Sequence, residues 1–217
     1  MHISDGILSA PVLAAGFVGT VAMAAYTMRK MDMDDIPKIS VITSVFFVAS
    51  LIHVPVGPSS AHLILNGLVG IVLGMRAFPA IMLGIVLQTI LFGHGGVTVI
   101  GVNSVMLGGG GLMAYFVWQL RHKFNVKKRE VVFGALAGAT GILASGVILA
   151  IALVTTGEEF MVSAGYILAA HFPIAIVEAI VVGACAGFLL KVKPDTLAGH
   201  VAVFNPPPKE TIEPKEK

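Results

Sequence analysis

The chain has 217 residues, 56% of them hydrophobic and only 12% charged, with a formal net charge of +2 at pH 7. A soluble domain carries roughly 25% charged residues, so a soluble fold is excluded, and the charge balance gives no basis for a nucleic-acid partner. The only cysteine, Cys185, excludes an intrachain disulfide.

The opening "MHISDGIL" is not read as a secretory leader, because a leader begins with a positive region and the first charge here is Asp5. Apolar runs of about 20 residues then recur, as membrane helices require. The first covers about 8–28 and ends before "RKMDMDDIPK". The second covers about 37–53. The breaker-rich "VPVGPSS" precedes a third at about 61–75, after which Arg76 and Pro79 mark a short turn. The fourth covers about 77–93 and is followed by the glycine-rich "HGGVTVIGVN". The fifth covers about 103–120, before "RHKFNVKKRE". The sixth covers about 131–155, before "TTGEEF", and the seventh about 163–190. The reading is an all-α polytopic membrane protein with about seven transmembrane helices. Residues 1–190 form one substrate-binding membrane domain, and 191–217 form a cytoplasmic, partly disordered tail. "NPPPKETIEPKEK" is too polar and proline-rich to pack. Runs two and three are short, so they tilt little or are interrupted. The pairs Gly134/Gly138, Gly70/Gly74 and Gly183/Gly187 suit close helix approach.

All fourteen Lys and Arg fall in the odd-numbered loops, beside them, or in the tail. The positive-inside rule then places the amino terminus outside and the tail in the cytoplasm of a multi-pass cell-membrane protein. Five histidines, His2, His53, His62, His94 and His171, belong to the outer half; His122 and His200 are inside. A lone interfacial histidine needs no special role. Five on one side suit metal capture, because imidazole is the commonest metal ligand.

Met1-His2 is the sharpest candidate. The α-amine, the His2 amide nitrogen and the imidazole Nδ1 can close two fused chelate rings on one ion. Losing the amide proton requires a strongly polarising late first-row ion that accepts square-planar nitrogen, such as Ni(II) or Cu(II). A fourth nitrogen is needed, and His62 supplies it: it lies at the start of the third run, where Ser59 or Ser60 can cap the helix and the helix dipole keeps an imidazole neutral. His53 competes, with an ordinary interfacial role as its plainer reading. "HGGVTVIGVN" is either a flexible outer loop or a lid in which His94 and Asn103 hydrogen-bond near the metal. Asp5 orients His2, or else merely forms an Asp-Gly turn. His171 and Glu178 share a helix face seven residues apart, as a structural pair or as part of an ion path. Gln88 and Asn66 are read as interhelical hydrogen bonders.

Together "MHISDGIL", "PVGPSSAHLILNGLVG", "LFGHGGVTVIGVNSVMLGGG" and "HFPIAIVEAIVVG" resemble the CbiM/NikM family. These are the substrate-specific membrane subunits (S-components) of energy-coupling-factor nickel and cobalt importers. The resemblance covers about residues 1–190. It implies a seven-helix subunit whose Met1, His2 and His62 bind the transported metal. It also implies partners: a transmembrane coupling subunit, ABC-type ATPase subunits and a small accessory membrane subunit. The cobalt branch carries a Ser-Cys-Ser-His-Pro-like run where this chain has "GPSSAHLILNG", so Ni(II) is favoured as the transported ion, with Co(II) for cobalamin synthesis as the alternative. No organic cofactor is implied. No GxxxxGK[ST] motif is present, so ATP hydrolysis belongs to separate subunits and the chain is not read as an enzyme.

A second alternative is a cation-coupled secondary transporter using Glu178 and His171, which would be expected to show internal repeats. An intramembrane protease is not supported: "LASG" around Ser145 has Leu143 where a serine elbow needs glycine. A retinal receptor would need a lysine in the last span.

Overall fold

The computed structural model describes residues 2–29, 31–56 and 59–199, with the backbone alone between 53 and 62. Seven α-helices are present among the described residues: α1 (Ala10–Met28), α2 (Ile36–Ala49), α3 (Asn66–Leu73), α4 (Ala77–Phe92), α5 (Ile100–Gln119), α6 (Arg129–Thr156) and α7 (Met161–Val192). Two short strands, β1 (His53–Val56) and β2 (Ser59–His62), pair antiparallel between α2 and α3. Prolines open α1 and α2 in their first turns, where a missing N–H costs nothing. Gly93 closes α4 with a left-handed φ of 65°, as helix ends commonly do.

Helix α5 sits at the centre because it has almost no side chains in its middle. An added Cβ would meet Phe78 of α4 at Gly108 and Ile148 of α6 at Gly109. At Gly110 it would meet Ser145 and the Gly141 carbonyl of α6 together with Asn66 of α3, and at Gly111 it would meet Ile81 of α4. Four consecutive glycines therefore let three helices approach one turn of backbone. Asn66 ties that junction together: its Nδ2 donates to the Leu107 carbonyl, the Gly141 carbonyl and Ser145 Oγ. Gly134 and Gly138 lie against Val182 and the Glu178 carbonyl of α7, the close approach expected of that pair, while Gly74, with φ of 62°, makes the α3–α4 turn instead.

Contacts along the helices fix their directions. Gly16 and Gly19 of α1 meet Val102 and Val105 of α5, so those two run parallel. Gly109 and Gly110 of α5 meet Ile148 and Ser145 of α6, which is therefore antiparallel. The same reasoning makes α3 and α7 parallel to α5; the short turn at Gly74–Arg76 folds α4 back on α3 and so antiparallel to α5, and α2 runs with α4, Thr43 lying against Ala80 and Phe46 against Gly84. Residues 2–9 thus share one end of the bundle with the α4–α5 loop. Arg29, Arg76, Lys123, Lys127 and Lys193 lie at the other end, where Arg76 pairs with Asp35 at 2.6 Å.

Five stretches among the described residues are long and apolar enough to cross a membrane, one of which, Asn66–Phe92, folds back on itself as α3 and α4. The third expected span is not a single crossing helix. At 8 residues α3 is only about 12 Å long, against a hydrocarbon thickness of about 30 Å. The outer part of that span is not helical: β2 ends at His62 and α3 begins only at Asn66, because the chain just after the breakers in "VPVGPSS" pairs as a strand.

The expected tail from 191 onward begins docked. A 3-10 turn at Pro194–Thr196 leads to Leu197, which is buried. The Ala198 N–H donates to the Ile71 carbonyl at 2.8 Å. Its carbonyl accepts from Trp118 Nε1 and an Arg121 guanidinium nitrogen, each at 2.9 Å, while that guanidinium lies over the Trp118 ring. His200 and the rest of the tail lie outside the described residues.

Candidate metal site

The amino-terminal segment does not run out into solvent; it threads into the end of the bundle. Asn103, in the first turn of α5, is fully buried and takes both backbone groups of Ile3. The Ile3 N–H donates to Asn103 Oδ1 at 3.0 Å, and Asn103 Nδ2 donates to the Ile3 carbonyl at 3.1 Å. Two residues on, the Asp5 N–H donates to the Gly95 carbonyl at 2.9 Å. The Asp5 carboxylate accepts from the Thr98 N–H at 3.1 Å and from the Thr98 hydroxyl. Ile3 and Leu8 are buried beneath this segment. Residues 3–8 are thus held like an extra strand of packing on the α4–α5 loop.

The glycines of that loop have a specific task. Gly95 has φ of +81°, and a Cβ there would lie 2.7 Å from Asn103 Nδ2 and 3.1 Å from the Ile3 carbonyl. Gly96 has φ of +124°, and a Cβ there would run into the Asp5 carboxylate. Only glycine combines those dihedrals with that approach. Of the two readings of "HGGVTVIGVN", the arrangement therefore favours the one in which the loop organises neighbouring residues.

His2 lies next to this clamp. Its ring centroid is 5.8 Å from that of His94, which in turn stands 5.8 Å from the Phe92 ring. Burial, and secondarily the neighbouring His94, pulls the His2 imidazole down from 6.5 to about 4; the nearby Gln88 amide, as an acceptor, opposes the shift. The ring is therefore neutral at physiological pH, the form in which a nitrogen lone pair is open to a metal. Met1 lies outside the described residues.

The strands place His53 and His62 directly opposite one another in register; their side chains lie outside the described residues. The segment after β2 is tightly fixed. The Ile64 and Leu65 N–H groups donate to Glu178 Oε1 at 2.6 and 2.9 Å, and Leu65 also reaches Oε2 at 3.1 Å. Leu65 has a left-handed φ of 56° and precedes α3. Glu178, fully buried in α7, thus caps α3 from another helix and anchors the backbone two residues after His62. His171 does not pair with it: His171 Nδ1 bonds the Ile167 carbonyl at 2.7 Å, and its ring packs on Gly146. Among the described residues no group of three or more His, Cys, Asp or Glu is placed to hold a metal by side chains alone.

Of the residues expected from sequence, the fold brings together His2, Asp5, His94 and Asn103. Glu178 reaches the segment after His62, and His171 stands apart. Gln88 has a place that its reading as a helix–helix bonder missed. It is fully buried at the end of α4, near the His2 imidazole. The signal was its position roughly one and a half turns before "HGG", at the outer end of its span.

The model of a family described as the cobalt uptake substrate-specific transmembrane region matches residues 2–196. A putative metal transport protein of Haemophilus influenzae is 34% identical over 200 residues, covering 91% of this chain and 97% of that one. The fused nickel transport protein NikMN of Rhodobacter capsulatus is 31% identical over 185 residues, covering 81% of this chain and 53% of that one. A solved structure described as a truncated transition metal transporter superposes with a TM-score of 0.74 at 26% identity, covering 88% of this chain and 99% of that one.

Proposed function

This chain belongs to the family of cobalt uptake substrate-specific transmembrane regions, and from that premise we propose that it captures Ni(II) at the outer face of the cell membrane. The Met1 α-amine, the His2 amide nitrogen, the His2 imidazole Nδ1 and His62 form the square-planar donor set. One observation carries this reading: Asn103 holds both backbone groups of Ile3 inside the fold. Met1 and His2, which directly precede that clamp, supply the three nitrogens of the proposed chelate. The neutral His2 ring and the pinned segment after His62 support the same assignment.

Nickel is favoured over Co(II) because amide-nitrogen square planes suit Ni(II); Co(II) remains the alternative substrate, and the family's description names cobalt. The grouping of basic residues at the bundle end opposite His2 supports an outside amino terminus by the positive-inside rule. Seven passes, with α3 and its preceding strand pair together making the third, are consistent with that placement.

Inward release needs work from elsewhere, since the chain has no phosphate-binding GxxxxGK[ST] loop. We assign that work to a coupling subunit and ABC-type ATPases, with a small accessory membrane subunit beside them. The NikMN relative, of which this chain spans about half, fits the idea that such subunits work side by side. The secondary-carrier reading is less favoured: the Glu178 carboxylate is occupied by backbone N–H donors and His171 by its own helix.

The test is a single residue added before Met1. It shifts the α-amine out of chelating register, and Ni(II) binding by the purified protein is expected to collapse. Retained affinity overturns the reading. His62→Ala is expected to weaken binding strongly and His122→Ala to leave it unchanged.

A further inference from the structure

Gln88 lies in α4 with no exposed surface, and neither atom of its side-chain amide completes a regular hydrogen bond within the described residues. A buried amide left in this state is costly, because its groups have given up water without a full replacement. Such a residue in an apolar helix calls for a partner that the resting arrangement does not fully supply. Its backbone carbonyl accepts from the His94 N–H at 3.3 Å, which fixes the end of α4 against the loop that clamps the amino terminus. Its side-chain amide stands close enough to the His2 imidazole to bear on its protonation, and both residues flank His94, Gln88 through that backbone bond and His2 through its ring.

The chemistry of the chelate defines what that partner must be. A histidine that binds an ion through its own amide nitrogen and Nδ1 is locked in the Nε2–H tautomer. The Nε2 proton then points away from the ion, into the protein. In a buried site it needs an acceptor, and a carbonyl oxygen there also raises the basicity of the ligating nitrogen. Gln88 Oε1 is a neutral acceptor, so it supplies this hydrogen bond without adding a charge that would have to be desolvated.

We infer that Gln88 is a positioning residue for the transported metal: its Oε1 accepts the His2 Nε2 proton, fixing the tautomer and ring plane that present Nδ1 to Ni(II). The inference rests on the chelate reading of Met1 and His2 and names the residue that sets its geometry. His94 is the neighbouring competitor for the same proton, since its ring stands 5.8 Å from that of His2.

The experiment uses the full-length purified protein with Ni(II) alone as probe, reading both affinity and the ligand-field absorption band of the bound ion. Gln88→Met keeps the volume and removes the acceptor. It is expected to weaken Ni(II) binding about 10- to 100-fold, the usual cost of losing a partner to a ligating histidine, and to shift the band. Gln88→Glu restores an acceptor and is expected to recover most of the affinity and the parent band. A merely structural role would move thermal stability in both variants and leave the band of the remaining bound ion unchanged. Parent-like affinity and band in Gln88→Met overturn the inference. So does a loss in His94→Ala that Gln88→Met does not share. If Gln88→Met does not fold, Gln88→Glu decides: an unchanged band with parent affinity supports the inference, and a displaced band overturns it. The one-residue extension before Met1 runs alongside. Loss of binding there with none in Gln88→Met refutes only the role of Gln88, whereas retained binding in the extended protein refutes the chelate itself.

Discussion

Asn103 forms two hydrogen bonds with a single residue, Ile3, accepting from its N–H at 3.0 Å and donating to its carbonyl at 3.1 Å. This is the pairing one strand offers another, made here by a side-chain amide. It converts the beginning of the chain into a fixed element, because backbone groups buried at Ile3 have no water to turn to.

Asn103→Leu removes both bonds and leaves both Ile3 groups unsatisfied, at about 1–3 kcal/mol each. Part of that penalty is relieved by the segment leaving its seat. Ni(II) affinity, measured by titration calorimetry, is expected to fall about 10- to 100-fold, since each 1.4 kcal/mol is tenfold. Asn103→Asp keeps the acceptor and loses the donor, so its loss is expected to be comparable or smaller. Parent affinity in Asn103→Leu would separate the clamp from the site.

Gly96 and Gly93 make a matched pair. Both have positive φ, but a Cβ at Gly93 meets nothing within 4 Å, whereas one at Gly96 meets the Asp5 carboxylate. Gly93→Ala is therefore expected to cost only the left-handed backbone, about 1–2 kcal/mol, with metal binding retained. Gly96→Ala is expected to expel Asp5 and open the amino-terminal segment to a protease at neutral pH. Equal protection of the segment in the two variants would remove Asp5 from the anchoring role.

Glu178→Ala orphans the Ile64 and Leu65 N–H groups and is expected to lower stability by about 2–6 kcal/mol, read as a fall in Tm in detergent. Glu178→Gln keeps a carbonyl acceptor and is expected to retain most of the stability and measurable Ni(II) binding. A carrier that moves protons or cations through this carboxylate differs in transport alone: its Gln variant would be stable and capture the ion but carry none across, whereas here uptake by the assembled transporter is expected to persist.

The His2 imidazole is lowered from 6.5 to about 4 by burial and then by His94. The seated segment thus favours the neutral ring. Its contribution is complete above about 6.5 and is lost as pH falls through 6.5 toward 4. The hydrogen-exchange protection factor at the Ile3 amide is expected to hold down to about 6.5, decline toward 4, and flatten in His2→Ala. Because the His2 ring is already neutral at pH 6 to 7, it is expected to contribute no proton to the release that accompanies Ni(II) binding there. A protection factor independent of pH over that window would contradict this account of the ring.

The bundle was largely legible in advance. Apolar runs marked every helix, the grouping of Lys and Arg marked one end, and Gly134/Gly138 marked a close helix contact. Of the two outcomes expected for the short third run the interrupted one holds, but its helix starts later than expected, because composition does not say how breakers are resolved. "VPVGPSS" allowed an early helix start, but the chain instead pairs His53 with His62 across two strands and begins α3 at Asn66, where Glu178 caps it. That cap comes from α7, more than a hundred residues away, so no local pattern could announce it.

Sequence alone determined that the chain is membrane-embedded, that its basic residues segregate to one end, and that the residue before Ile3 is a histidine, the basis of the proposed chelate; these depend on composition and order. Tertiary structure decided what those residues face. It paired Asn103 with Ile3, fitted glycines under Asp5, turned Gln88 toward His2, and separated His171 from Glu178. Each of these is a contact between residues distant in the chain, and a buried polar group takes whichever partner packing brings within hydrogen-bond reach.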